Sequence, residues 1–125
     1  MKLKVQHVFD ATLLLSKIIN EQRPMPQRGK FRLARMHGAL LPEFNVINAS
    51  RDALIMSYQT PTENGQWIVP EDKAQHFAAA WQEIAGQEIE VTVQPIALAD
   101  LDFGSEADGS IESHELITLG ELVSE

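Results

Sequence analysis

The sequence predicts an α+β domain, mostly helical, with one long helix packed against two or three shorter helices and a small antiparallel sheet. Three observations lead there. Leu33, Leu40, Ile47 and Leu54 stand seven apart, with Met36, Phe44 and Tyr58 beside them. That spacing marks the buried seam of a long packed helix. A second helical period runs from about Val8 to Glu21, where Val8, Phe9, Thr12, Leu15, Ser16 and Ile19 share a face. Ile89, Val91 and Val93 alternate with Glu88, Glu90, Thr92 and Gln94, as a half-buried strand does. With 125 residues, 44% of them hydrophobic, the chain suits a single domain, 1–125, with its own core.

Taken in order, Lys2 to Val5 predicts a short strand, followed by the 8–21 helix. Arg23 to Gly29, "RPMPQRG", holds two prolines and a glycine and predicts a loop. The long helix covers about Lys30 to Tyr58. Pro42 lies inside it, lacks a backbone donor and crowds the preceding turn, which predicts a kink or break. Pro61 stops that helix. Asn64-Gly65 predicts a hairpin turn, because both residues tolerate positive φ, and "QWIV" predicts a short strand after it. Pro70 suits the first position of a helix with Glu71 and Asp72 in its first turn. Ala74, Phe77, Ala78, Trp81, Ile84 and Ala85 form its apolar face, and Gly86 ends it. The alternating strand, 88–94, ends at Pro95. After an acidic loop, Ser113 is the expected N-cap of a last helix, His114 to Val123.

Composition excludes several functions. The chain has no cysteine, which removes disulfides, thiolate metal sites and cysteine nucleophiles. No apolar run approaches the roughly 20 residues of a membrane span, and nothing resembles a secretory signal, so a soluble, intracellular protein is expected. The net charge of −8 is unevenly spread. Residues 1–37 carry eight basic against two acidic side chains, a net of +6; residues 38–125 carry two basic against sixteen acidic, a net of −14. The acidic part repels nucleic acid, which is not an expected partner.

Gly104 to Glu115, "GSEADGSIESHE", is the stretch closest to a chemical motif. With Gly109 at the sixth position of a calcium loop, Glu106, Asp108, Glu112 and Glu115 fall at ligand positions 3, 5, 9 and 12. Position 1 is Gly104, which offers no carboxylate, and no entering helix precedes it. The reading favours an acidic surface loop, with a weak calcium-binding module as a minor alternative. His7, His37, His76 and His114 are not spaced as metal ligands, and there is neither a phosphate loop nor a nucleophile elbow. Asp72 and His76, four apart, suit a surface hydrogen bond. No catalytic residues, cofactor or enzyme activity are expected. The interaction candidates are the basic cluster Arg28, Lys30, Arg32 and Arg35 around Phe31, and Trp67 at the hairpin.

The chain resembles a small phage and prophage protein family to which no activity is assigned. Phe31 to Ala34, Glu43 and Phe44, Ser50 to Ile55 and Tyr58 are similar to that family's long central helix. Glu63 to Gly65 resembles its "ENG" turn, Ile84 to Val91 a helix leading into a strand, "QPIALADL" (Gln94 to Leu101) its next strand, and Ile111 to Glu125 its closing acidic helix. The resemblance spans about Leu3 to Glu125; Pro42 and the "FGSEADGS" stretch depart from it. It implies a non-catalytic phage or prophage protein acting through protein–protein contacts, in the host cytoplasm or the virion. The first expectation is virion assembly, as a connector, tail or accessory subunit with a phage structural protein as partner. The alternative is an inhibitor of a host defence or nucleic-acid enzyme that presents its acidic surface. Cations at a helix start oppose the helix dipole, so the basic cluster is expected to meet an acidic surface, on a partner or on a second copy in a homo-oligomer.

Overall fold

The computed structural model describes residues 1–101 and 113–124. A helical hairpin sets the frame: α1 (Val5–Glu21) and α2 (Gln27–Tyr58) are joined by residues 22–26. Gln22 takes a left-handed conformation (φ 51°) that turns the chain out of α1, and Met25 is buried in the corner. Ahead of the hairpin, β1 (Lys2–Lys4) pairs antiparallel with β4 (Glu88–Glu90). Beyond it come β2 (Thr60–Pro61), β3 (Trp67–Ile68) and α3 (Glu71–Ala85). The C-terminal part adds β5 (Ile96–Ala97), a 3₁₀ turn at Leu98–Leu101, α4 (Ser113–Leu119), a second 3₁₀ turn at Gly120–Leu122 and β6 (Val123–Ser124).

The core lies between the hairpin helices. Val5, Val8, Ala11, Leu15 and Ile18 of α1 meet Leu33, Met36, Leu40 and Ile47 of α2. Leu3, Val91, Ile96, Leu101, Leu119 and Leu122 close its remaining sides. The expected face of α1 is therefore rotated: Ala11 and Ile18 are buried, while Phe9, Ser16 and Ile19 lie at its margin. Thr12 is buried at no polar cost, since its hydroxyl donates to the Val8 carbonyl at 2.6 Å.

The fold class is as the sequence predicts, with four differences in its elements. First, α2 runs unbroken through Pro42. The residue four positions earlier, whose carbonyl loses its helical donor at Pro42, is Gly38; both are exposed, so the loss falls on the solvent side of the helix. Second, pairing of the expected 88–94 strand covers Glu88–Glu90 and ends with the backbone bonds between Val91 and Met1 (2.8 and 3.1 Å), although side chains alternate inward and outward as far as Gln94. Periodicity reports which face is buried, not whether a partner strand is present. Third, the closing helix stops at Leu119 instead of Val123, with Ser113 as its first residue rather than its cap. Gly120 (φ 54°) turns the chain, and Val123–Ser124 becomes β6, parallel to β5. Fourth, the strands form three separate two-stranded ladders, β1–β4 and β2–β3 antiparallel and β5–β6 parallel. In the 62–66 turn only Gly65 has positive φ, and its N–H bonds the Thr62 carbonyl at 3.0 Å.

One ion pair ties the hairpin corner to α4. Arg23 donates from both terminal nitrogens to the two oxygens of Glu115, the Nη2–Oε2 bond being 2.8 Å, and from Nε to Glu21 at 2.8 Å. Glu115 is buried and Arg23 nearly so on its side chain. The hydrogen bond to Glu115, then that to Glu21, raises the pKa of the guanidinium further above its ordinary value, so it stays charged. His7, in the first turn of α1, ties the last residue of α4 to the same helix, donating from Nε2 to the Leu119 carbonyl at 2.9 Å. Removing one partner from a buried pair strands the other. Glu115→Gln is therefore expected to lower stability by on the order of 3 kcal/mol in urea unfolding, with Arg23→Met/Glu115→Leu recovering much of that loss. An unchanged midpoint for the single variant would contradict this.

Candidate interaction surface

The four cations of the basic cluster stand on the first turns of α2, in three settings. Arg28 donates from Nε to Oδ1 of Asp100 at 2.5 Å, and Arg32 donates to the other Asp100 oxygen. Asp100 is buried in the 98–101 turn, while both arginines are largely exposed. Lys30 lies beside a small cavity of about 210 Å³ that Ile18, Met25 and Leu33 also line. Arg35 stacks over the ring of Phe31, 5.9 Å from its centroid. The cluster was expected to need an acid from outside this chain's own fold; for Arg28 and Arg32 that acid is Asp100 of the same chain. Its carboxylate sits beside a helix start whose first turn has no acid of its own, where negative charge is favoured.

The clamp depends on close backbone approach. An ideal Cβ on Gly29 would lie 1.9 Å from the Asp100 carbonyl oxygen, so no other residue fits without moving the 98–101 turn. Between the first half of α2 and the extended residues 91–96 runs a groove of about 830 Å³. Arg28, Phe31, Arg32 and Arg35 form one wall and the Val91–Pro95 chain the other.

Farther along α2 the molecule changes character. Among the described residues, none from 48 to 84 is buried, although this stretch holds the second half of α2, the β2–β3 hairpin and most of α3. Leu54 and Tyr58, expected in the seam, are only half-buried, and of the expected α3 face only Ala85 is buried. Aromatic contacts hold this arm in place. Phe9 of α1 stacks on Phe44 (5.3 Å) and meets Trp81 edge-on (5.8 Å). The Arg51 guanidinium lies over both Phe9 (5.6 Å) and Trp81 (5.9 Å). Trp81 also donates from Nε1 to Gln6 at 3.0 Å. Near the far end, Tyr58 meets Phe77 edge-on at 6.3 Å. Trp67, on the hairpin, is 60% exposed.

The predicted interaction residues are therefore not gathered into one site. From Arg35 to the end of α2 is about 35 Å at 1.5 Å per residue, and Trp67 lies beyond that end, across from Pro61. Of the calcium candidates, Glu106, Asp108 and Glu112 lie outside the described residues. Glu115 is buried, and its carboxylate accepts from Arg23, as a buried anion needs a cation partner. Among the described residues no three His, Asp or Glu side chains cluster to hold a metal, and no helix is long and apolar enough to cross a membrane. Asp100, Arg23 and Arg51 were missed by sequence reasoning, and Glu115 was singled out for a different role from the ion pair it makes. The one usable signal was a lone acid in an apolar run, "IALADL", since such an acid is either exposed or paired.

No protein-family model, curated protein or solved structure matches the chain. The arrangement in hand is thus one of surfaces: a basic, aromatic-edged groove at one end and a partly covered arm at the other. Gly29→Ala is expected to destabilise the fold by about 1–3 kcal/mol through overpacking against the 98–101 turn. Asp100→Asn is expected to do so by a similar amount, because it leaves two arginines facing each other. Thermal unfolding of both variants checks this; midpoints equal to the parent's would show that the clamp carries no stability.

Proposed function

We propose that this is a non-catalytic phage or prophage protein that works through protein–protein contacts in virion assembly, as a connector, tail or accessory subunit. The observation that supports contact as its mode of action is the arm: 37 consecutive residues, 48–84, with regular helices and aromatic side chains but no buried residue. Helical stability ordinarily comes from packing an apolar face, and here that face has only partial cover from the chain itself. A partner of complementary shape would supply the rest. The two most buried carboxylates among the described residues, Asp100 and Glu115, are both held by arginines, which suits a structural rather than an acid–base role. The phage assignment rests on the resemblance of the long helix, the Glu63–Gly65 turn and the segments around Ile84 to Leu101.

Capture of partners by the tagged full chain, from cells producing phage particles, tests this reading. Capsid, tail or connector proteins are the expected catch, and the protein itself is expected in purified particles or assembly intermediates. A host defence or nucleic-acid enzyme as the main catch would favour the inhibitor reading instead. Absence from all particles and intermediates would overturn virion assembly.

A further inference from the structure

Helix α2 carries a second apolar stripe opposite the buried one. Ala39, Pro42, Val46, Ala49, Ala53 and Met56 recur at alternating intervals of three and four residues, and all six are exposed. At about 100° per residue they lie within roughly a quarter-turn of one another and about half a turn from Leu33, Met36, Leu40 and Ile47. Phe31 and Arg35 extend the stripe toward the helix start. Phe31, Val46 and Met56 are 63%, 64% and 70% exposed, so this side holds three of the most exposed large apolar side chains in the described structure.

We infer that this outer stripe is the contact surface for a second copy of the chain, with the two α2 helices running antiparallel. Two features select that occupant. The stripe is symmetric about its centre, so reversing it places Ala39 against Met56, Pro42 against Ala53 and Val46 against Ala49. Each larger side chain then faces an alanine, which lets two helices approach closely and interdigitate. Charge selects the same direction. Residues 27–37 carry Arg28, Lys30, Arg32 and Arg35 and no acid; residues 51–73 carry Asp52, Glu63, Glu71 and Asp72 against Arg51 and Lys73, a net of −2. Asp100 offsets one of the four cations, which leaves the helix start positive. Antiparallel copies bring opposite charges together at both ends, whereas parallel copies bring like charges together. The same arrangement sets the exposed Trp67 of one copy near the basic turns and Phe31 of the other, joining interaction candidates that lie far apart within one chain.

This inference names one partner for part of the surface on which the proposed function rests, and its test stands apart from partner capture. The natural chain has no cysteine, so single cysteines report geometry cleanly. Light scattering at about 100 µM, where a micromolar complex is formed, is expected to give a dimer. On mild oxidation, a mixture of Ala39→Cys and Met56→Cys chains is expected to cross-link as mixed dimers, while neither variant cross-links alone, since like positions lie about 26 Å apart along antiparallel helices. Val46→Arg, at an exposed position, is expected to keep the helical circular dichroism spectrum and to weaken the dimer on the order of a hundredfold. Raising salt from about 0.05 to 0.5 M is expected to weaken it as well, as charge attraction is screened. A monomer at that concentration, cross-linking of either single variant with itself, or a Val46→Arg chain that dimerises like the parent would each overturn the inference. None of these results bears on capture of phage proteins, which tests the proposed function separately.

Discussion

The length of one helix constrains everything else in this molecule. At 32 residues α2 is about 48 Å long, while α1, with 17, spans only about 26 Å. A helix can be buried only where a neighbour reaches it, and the buried positions of α2 run from Gly29 to Ile47, close to the length of α1. Beyond Ile47, among the described residues, α3 and a short hairpin are what accompanies α2. Aromatic edges and one arginine join α3 to α2, and no residue of α2 beyond Ile47 is fully buried. The result is a packed half and a half left open to solvent.

Charge holds the packed half to the C-terminal segments. The +6 start of the chain and its −14 remainder meet inside the fold at two places: Arg23 on Glu115, and Arg28 with Arg32 on Asp100. Both are at the end of the molecule where α1 turns into α2. Pairs of this kind add little net stability over a well-packed apolar contact, since desolvation offsets attraction. Their effect is positional: a carboxylate that must find a guanidinium sets where the 98–101 turn and α4 rest against the hairpin. The close contact at Gly29 and the His7 bond to Leu119 restrict the same two junctions by shape and by hydrogen bonding.

Much of this was legible from residue patterns. The seam at Leu33, Leu40 and Ile47 identified the long helix because burial imposes a period on a helix. The Pro70-Glu71-Asp72 start of α3 was legible because helix ends have their own chemistry. Of the kink or break expected at Pro42, no break occurs, since a local penalty at an exposed turn is outweighed by core contacts on both sides of it. Strand 88–94 was over-read because alternation records burial only. The partners of Arg23 and Arg28 are 92 and 72 residues away, and no local pattern encodes contacts at that separation. The outer stripe of α2 was hidden by the inner one: two apolar faces on one helix blur the period that either alone would show.

The central claim is that residues 48–84 are folded with only partial cover from the rest of the chain. Native-state hydrogen exchange on the dilute protein tests it most directly, because local opening follows how little is buried. The account predicts that α2 amides from about Leu33 to Ile47 and those of α1 exchange only through global unfolding, while those of α3 and of α2 beyond Ile47 exchange at least tenfold faster through local opening. Uniform protection along the whole of α2 and α3 would contradict it.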